Sequence, residues 1–136
     1  MSTANASTER IVDDLKQGYL PYESVVDLTR HPGALVRANA IEALVRFFGE
    51  RATACDELVE AIRAPSNSVR LMGTISVAHL AVAGLCKIDT PSSLEKATAA
   101  IANWSSPDRD DLLWYLRSEG LLALHPELCD AGLAVG

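Results

Sequence analysis

Two stretches of the chain, His31-Pro32-Gly33-Ala34-Leu35-Val36-Arg37 and Ala64-Pro65-Ser66-Asn67-Ser68-Val69-Arg70, follow the same plan 33 residues apart. The proline and the Val-Arg pair occupy the same places in both stretches, and an alanine-rich apolar run follows each. A fixed period of this length, with helical patterning on both sides of a proline turn, is typical of stacked helix pairs. The repeat therefore predicts an all-α architecture.

The spacing of apolar residues and helix breakers divides the chain into three predicted antiparallel helix pairs within a single domain, 1–136. The pairs fall at about 22–48, 53–85 and 90–119, after a disordered tail (1–6) and before a cap helix at about 126–133. A first helix is capped by Ser7 or Thr8 and stopped at Gly18. The six helices of the pairs are predicted at Tyr22–Arg30, Ala34–Phe48, Thr53–Ala64, Val69–Leu85, Thr90–Trp104 and Ser106–Ser118.

The predicted helix from Val69 to Leu85 is apolar on nearly all sides, and no charge lies between Arg70 and Lys87. Such a helix is either enclosed by its neighbours or carries a contact surface. Both alternatives stay open on the sequence. No segment shows the alternation expected of a strand.

The composition is acidic, with 12 Lys+Arg against 18 Asp+Glu and a formal net charge of -6. Nucleic acids and anionic membranes attract basic surfaces, so this balance disfavours them and favours a basic protein partner. Cys55, Cys86 and Cys129 are widely spaced and are expected to be buried thiols in a reducing compartment. With no signal pattern and no apolar run long enough for a bilayer, we expect a cytoplasmic protein.

The run Leu35-Val36-Arg37-Ala38-Asn39-Ala40-Ile41-Glu42-Ala43-Leu44 and the shorter Ser68-Val69-Arg70 resemble the second helix of HEAT-type repeats. The resemblance covers residues 22–85 best and is weaker over 90–120, where Asp108-Arg109 replaces the Val-Arg pair. It implies a short right-handed α-solenoid of about three helix pairs with N- and C-terminal capping helices, whose second helices line a binding face. It also implies structural pairing of Asp27 with Arg37 and of Glu60 with Arg70.

Aligning the second helices of the three pairs predicts which residues face outward. The aligned positions are Asn39, Glu42 and Arg46 in the first pair, Met72, Ile75 and His79 in the second, and Asp111, Trp114 and Ser118 in the third. The face changes from polar to apolar or aromatic, with Ile75 and Trp114 exposed at its centre. Aromatic residues and Met are enriched at protein interfaces, so we predict these residues as the partner-binding surface.

Motifs for chemistry are sparse. His31, His79 and His125 have no neighbours at metal-ligand spacing, and no phosphate-binding glycine loop or nucleophile motif is present. Asp108, Asp110 and Asp111 are accounted for by the N-terminal dipole of a helix. We therefore predict no catalytic residue, no metal, no cofactor and no enzyme activity.

These observations favour a non-enzymatic protein-binding module, a small neutraliser of the toxin-immunity type or an adaptor. A lyase-like enzyme or ligand carrier, with a pocket near Trp104, Trp114 and Tyr115, stays open as an alternative. A DNA-binding member of the repair type would need a basic stripe, for which the candidates are Arg37, Arg46, Arg51, Arg63 and Arg70. The fourth hypothesis is a homodimer whose two copies contact each other through the apolar face.

Overall fold

The computed structural model describes residues 3–121, with side chains from Ser7 onward except that of Met72. Seven α-helices lie in this part of the chain, so the predicted all-α class is confirmed. They are α1 (Thr3–Gln17), α2 (Tyr22–Leu28), α3 (Ala34–Phe48), α4 (Ala52–Arg63), α5 (Val77–Ile88), α6 (Pro91–Ile101) and α7 (Ser106–Ser118). The predicted cap helix at about 126–133, with His125 and Cys129, lies outside the described residues.

The ends of several helices agree with the breakers in the sequence. Gly18 and Gly120 follow α1 and α7 with φ of 75° and 76°, a backbone conformation that glycine adopts without steric cost. Thr90 caps α6 by accepting a hydrogen bond from the backbone N–H of Ser93, with Pro91 at the first helical position. The start of α1 differs from the prediction, because this helix begins at Thr3, ahead of Ser7 and Thr8.

The predicted long helix from Val69 to Leu85 is wrong. Pro65–Ser68 forms a short 3-10 turn, and Arg70–Met72 (β1) and Ile75–Ser76 (β2) pair as an antiparallel hairpin. Gly73 turns the hairpin with φ of 56°, which explains why the helix does not form at this point. The helix α5 begins only after Ser76, which caps it by accepting a hydrogen bond from the backbone N–H of His79.

One apolar cluster runs through the described part of the chain. Its members come from α1 to α7 and include Leu15, Val25, Ile41, Leu44, Leu58, Leu85, Ile101, Leu112 and Leu116. Every residue of α5 from Val77 to Cys86 is buried. For α5, the enclosed alternative is therefore the correct one.

The helices contact both their neighbours in sequence and the next-but-one helices. α3 packs against α1, α2 and α5, whereas α4 packs against α5 and α6. Gly84 of α5 permits a close approach to α3, since a Cβ at this position would lie 2.7 Å from Cγ2 of Val45. Polar side chains also connect α2 and the turn after it to α4. The Tyr22 hydroxyl donates a hydrogen bond to Oγ1 of Thr53 at 2.7 Å, and Arg30, in the turn, pairs with Glu57 at 2.9 Å.

Candidate functional site

A groove of about 610 Å³ follows the outward side of α3. We call it the α3 groove. Its polar lining includes Asn39, Glu42 and Arg46, which recur along α3 at spacings that place them on one side of the helix. The apolar lining comes from three helices and consists of Leu15, Ile41, Ala43, Val45, Phe47, Leu80 and Gly84, and the remaining lining residues are Lys16, Gln17 and Lys87.

An exposed aromatic side chain lines the α3 groove at the C-terminal turn of α3. It belongs to Phe47, which is 40% exposed; Tyr19, in the turn after α1, is 72% exposed and is not among the lining residues. The Arg46 guanidinium lies 5.2 Å from the centre of the Phe47 ring, within the range of a cation–π contact. Gly18 contacts this ring so closely that a Cβ would lie 2.8 Å from it. Aromatic and arginine side chains in such an arrangement are typical of the residues that dominate protein interfaces.

A second groove, of about 700 Å³, adjoins the first where α3 and α5 end and α4 and α6 begin. We call it the end groove. The two grooves share the lining residues Val45, Arg46, Phe47 and Lys87. Arg51 also lines the end groove, and its guanidinium lies 4.3 Å from the centre of the Tyr22 ring. The two grooves therefore adjoin each other on the molecule.

On the α7 side, Glu42 of the α3 groove lies near the phenol of Tyr115. Burial, together with the negative charges of Glu119 and Glu42, raises the pKa of Tyr115 to about 12. The hydroxyl of Tyr115 donates to Oε1 of Glu119 at 3.5 Å, and the same carboxylate oxygen lies 3.8 Å from Nζ of Lys87. Tyr115 is thus an uncharged hydrogen-bond donor at neutral pH.

A second polar cluster joins the hairpin to α7. Nη2 of Arg70 lies 2.9 Å from Oδ1 of Asp108 and 2.9 Å from Oδ2 of Asp111. The pairing of Arg70 with Glu60 implied by the HEAT resemblance is therefore replaced by pairing with α7. From the sequence, both aspartates were explained by the helix dipole and Asp111 was also placed on the partner-binding surface; their ion pairs with Arg70 were not predicted.

His79 is buried behind this cluster, with 1% of its surface exposed. Its Nδ1 accepts a hydrogen bond from the backbone N–H of Ser76 at 3.1 Å, and its ring packs against Trp104. Burial and the positive charge of Arg70 lower the pKa of His79, and Asp111 and Asp108 partly oppose them. The geometry and the pKa both favour a neutral imidazole with a structural role.

Arg37 is buried as well, and it connects the turn before α3 to the turn after α4. Nη1 donates to the backbone carbonyls of His31 and Pro32 at 2.9 Å each, and Nε donates to Oδ1 of Asn67 at 2.7 Å. These acceptors replace the implied pairing with Asp27. Because Arg37 is only 8% exposed, it is unavailable for a basic DNA-binding stripe.

The structure brings together only part of the predicted partner-binding surface. Asn39, Glu42 and Arg46 line one groove, as the register predicted. The predicted exposure of Ile75 and His79 is wrong, because Ile75 is 6% exposed in the hairpin and His79 caps α5. The alignment of the second helices treated residues 70–76 as part of a helix, whereas these residues form a hairpin. The positions that the alignment predicted to face outward are therefore displaced.

The other predicted positions lie elsewhere. The backbone of Met72 belongs to β1. Asp111 is half-buried against Arg70, and Trp114 and Ser118 are exposed on α7, with Trp114 at 58%. None of these residues lines the α3 groove. Trp104 packs against His79 whereas Trp114 faces solvent, so the two tryptophans occupy different environments.

Within residues 3–121, no group of three or more His, Cys, Asp or Glu side chains is placed to hold a metal ion. Burial raises the pKa of the Cys55 thiol, which makes it a poor nucleophile. No helix in this range is both long and apolar enough to cross a bilayer.

Comparison of the chain with models of known families, with curated proteins and with solved structures found no match.

Proposed function

We propose that the chain is a non-enzymatic protein-binding module and that the α3 groove is its principal contact surface. The observation that carries the proposal is the exposed ring of Phe47, with Arg46 beside it, in the lining of a groove of about 610 Å³. An exposed aromatic residue in the lining of a concave surface is typical of a binding site rather than of inert protein surface.

A short HEAT-like α-solenoid is the architecture we propose for this module. The contacts support it, because α3 packs against α5 and α4 packs against α6. In a stack of helix pairs, second helices pack against second helices and first against first, which matches the order of these contacts. In such a stack the α3 groove would run along the second helices.

The absence of enzyme activity is part of the proposal. In the described part of the chain, the pKa values of Cys55, His79 and Tyr115 are displaced toward the neutral forms, in each case mainly by burial. His79 is used in a helix cap, and the Cys55 thiol is held protonated. These are structural roles, and they support binding over catalysis.

Within this class, we propose a stoichiometric neutraliser of the toxin-immunity type or an adaptor, acting in the cytoplasm. The expectation of a basic partner rests on the net charge of the whole chain. The α3 groove departs from that charge, because three basic residues, Lys16, Arg46 and Lys87, line it against one acidic residue, Glu42.

Photo-crosslinking in the source cells tests the proposal. A photoreactive residue in place of Glu42 lies inside the α3 groove, whereas one in place of Asp110 lies on the exposed side of α7. We expect a discrete crosslinked protein from position 42, none from position 110, and loss of the product when Phe47→Ser is added. Equal crosslinking from both positions, or none from position 42, would contradict the proposal.

A further inference from the structure

The α3 groove and the adjoining end groove together carry a local charge opposite to that of the chain. Five basic residues line them, Lys16, Arg46, Arg51, Lys87 and Lys96, against three acidic residues, Glu42, Glu50 and Asp56. The local balance is therefore +2, whereas that of the chain is -6. Local charge, rather than net charge, sets which partner surface is complementary.

These basic side chains are not locked in strong ion pairs. The pairs that Lys87 and Lys96 form with Glu119 and Asp56 are long, at 3.8 and 3.9 Å. The Arg46 guanidinium lies 5.2 Å from the centre of the Phe47 ring and forms no ion pair with any side chain in the described residues. For Lys16, which is exposed, no ion pair is formed with any side chain in the described part of the chain.

Apolar surface lies between these charges. Phe47 is exposed at the junction of the two grooves, and Ile41, Val45 and Leu80 contribute to the lining of the α3 groove. A partner segment that combines carboxylates with an apolar anchor would satisfy both features at once. A phosphate backbone would satisfy only the charges, because it offers no apolar side chain to the exposed ring of Phe47.

We infer that the α3 groove binds an acidic segment of its protein partner. Carboxylates of that segment pair with Lys16, Arg46 and Lys87, and an apolar side chain packs against Phe47. This inference rests on the proposed function, because it names the chemistry of the partner at the same groove. It reverses the partner charge that the composition of the whole chain suggested.

Labelled peptides of designed composition serve as probes, with binding read by fluorescence anisotropy. The first peptide carries Leu at i, i+3, i+4 and i+7 and Glu at its other positions, and the second replaces each Glu with Lys. We expect the Glu peptide to bind at least about tenfold more tightly at low salt and to lose that advantage as the salt concentration rises. A short single-stranded DNA of the same length tests a general preference for polyanions.

Charge-reversal variants assign the effect to the groove. Arg46→Glu is expected to weaken binding of the Glu peptide by about tenfold, or about 1.4 kcal/mol. Arg63→Glu makes the same charge change at an exposed residue of α4 that lines neither groove, and it is expected to leave binding unchanged. Circular dichroism of both variants checks that they fold.

The possible failures are distinguishable. If the Lys peptide binds as well as the Glu peptide and Phe47→Ala weakens both, the acidic-segment inference is overturned while the groove proposal stands. If the DNA competes as well as the Glu peptide, the inference is overturned in favour of a general polyanion site. If neither peptide binds, the inference is overturned, and the crosslinking experiment decides the proposed function separately.

Discussion

The hydrogen bonds around Arg37 make Asn67 one of the most sensitive positions in the described part of the chain. Asn67 is 1% exposed, accepts a hydrogen bond from Nε of Arg37 at 2.7 Å, and donates through Nδ2 to the backbone carbonyl of Ala61 at 2.9 Å. The substitution Asn67→Ala removes both bonds and leaves a buried guanidinium N–H and a buried carbonyl without these partners.

The expected loss follows from the two bonds. A hydrogen bond to a charged group contributes about 1.5–3 kcal/mol, and a neutral one contributes about 0.5–1.5 kcal/mol. We therefore expect Asn67→Ala to lower the free energy of unfolding by roughly 2–4.5 kcal/mol. Urea unfolding followed by circular dichroism measures this loss, provided that the slope of free energy against urea is unchanged.

Asn39→Ala is the matched control. It deletes the same type of side chain, but Asn39 is only partly buried and makes one hydrogen bond, to the carbonyl of Leu35. We expect it to cost less than about 1 kcal/mol. Equal losses of unfolding free energy for the two variants would refute the stabilising role assigned to the Arg37–Asn67 hydrogen bond. A double-mutant cycle gives a second test, because additive effects of Asn67→Ala and Arg37→Met on the free energy of unfolding would also refute that role.

Three further predictions concern Trp114, His79 and Gly84. Trp114→Ala should change the free energy of unfolding by less than about 1 kcal/mol and Trp104→Ala by clearly more, because Trp104 is partly buried against the core whereas Trp114 is 58% exposed. Thermal unfolding that ranks the two variants the other way would contradict this. Because folding lowers the pKa of His79, the contribution of the neutral imidazole to the free energy of unfolding should be complete above about pH 6.5. The free energy of unfolding should fall as the pH decreases below that value, by at most about 1.4 kcal/mol per pH unit. His79→Gln, which keeps a side chain able to complete the cap, should abolish that part of the slope in urea titrations between pH 7.5 and pH 5, roughly the range in which histidine titrates. Gly84→Ala should lower the free energy of unfolding by about 1–3 kcal/mol, because the added methyl group clashes with Val45. The second substitution Val45→Ala should recover part of the loss. Equal stability of the wild type and Gly84→Ala would show that α3 and α5 move apart without cost.

The helices with strong local signals could be predicted from the sequence. α3 is found at Ala34–Phe48 as predicted, because a proline-glycine turn precedes it and its apolar residues keep a helical period. The N-cap of α6 at Thr90-Pro91 and the start of α7 at Ser106 also agree. Apolar periodicity and helix-capping residues are signals within a few neighbouring positions, so they can be recognised without knowledge of the fold.

The hairpin at residues 70–76 and the roles of the two repeated arginines depended on tertiary contacts. Arg37 and Arg70 occupy equivalent places in the sequence, yet one is buried against backbone carbonyls and Asn67 whereas the other pairs with Asp108 and Asp111. The aspartates that pair with Arg70 come from a helix more than thirty residues away, so the sequence around Arg70 does not reveal them.

The groove shows the same division between local and long-range information. Helical spacing along α3 was enough to place Asn39, Glu42 and Arg46 together, since that grouping needs only one helix. The neighbours of these residues, Lys16 from α1 and Lys87 from α5, come together only when the helices pack. The sequence by itself therefore determined the helical class and one polar face. The tertiary structure decided where that face lies, which charges surround it and which apolar residues remain exposed, because those properties depend on residues far apart in the chain.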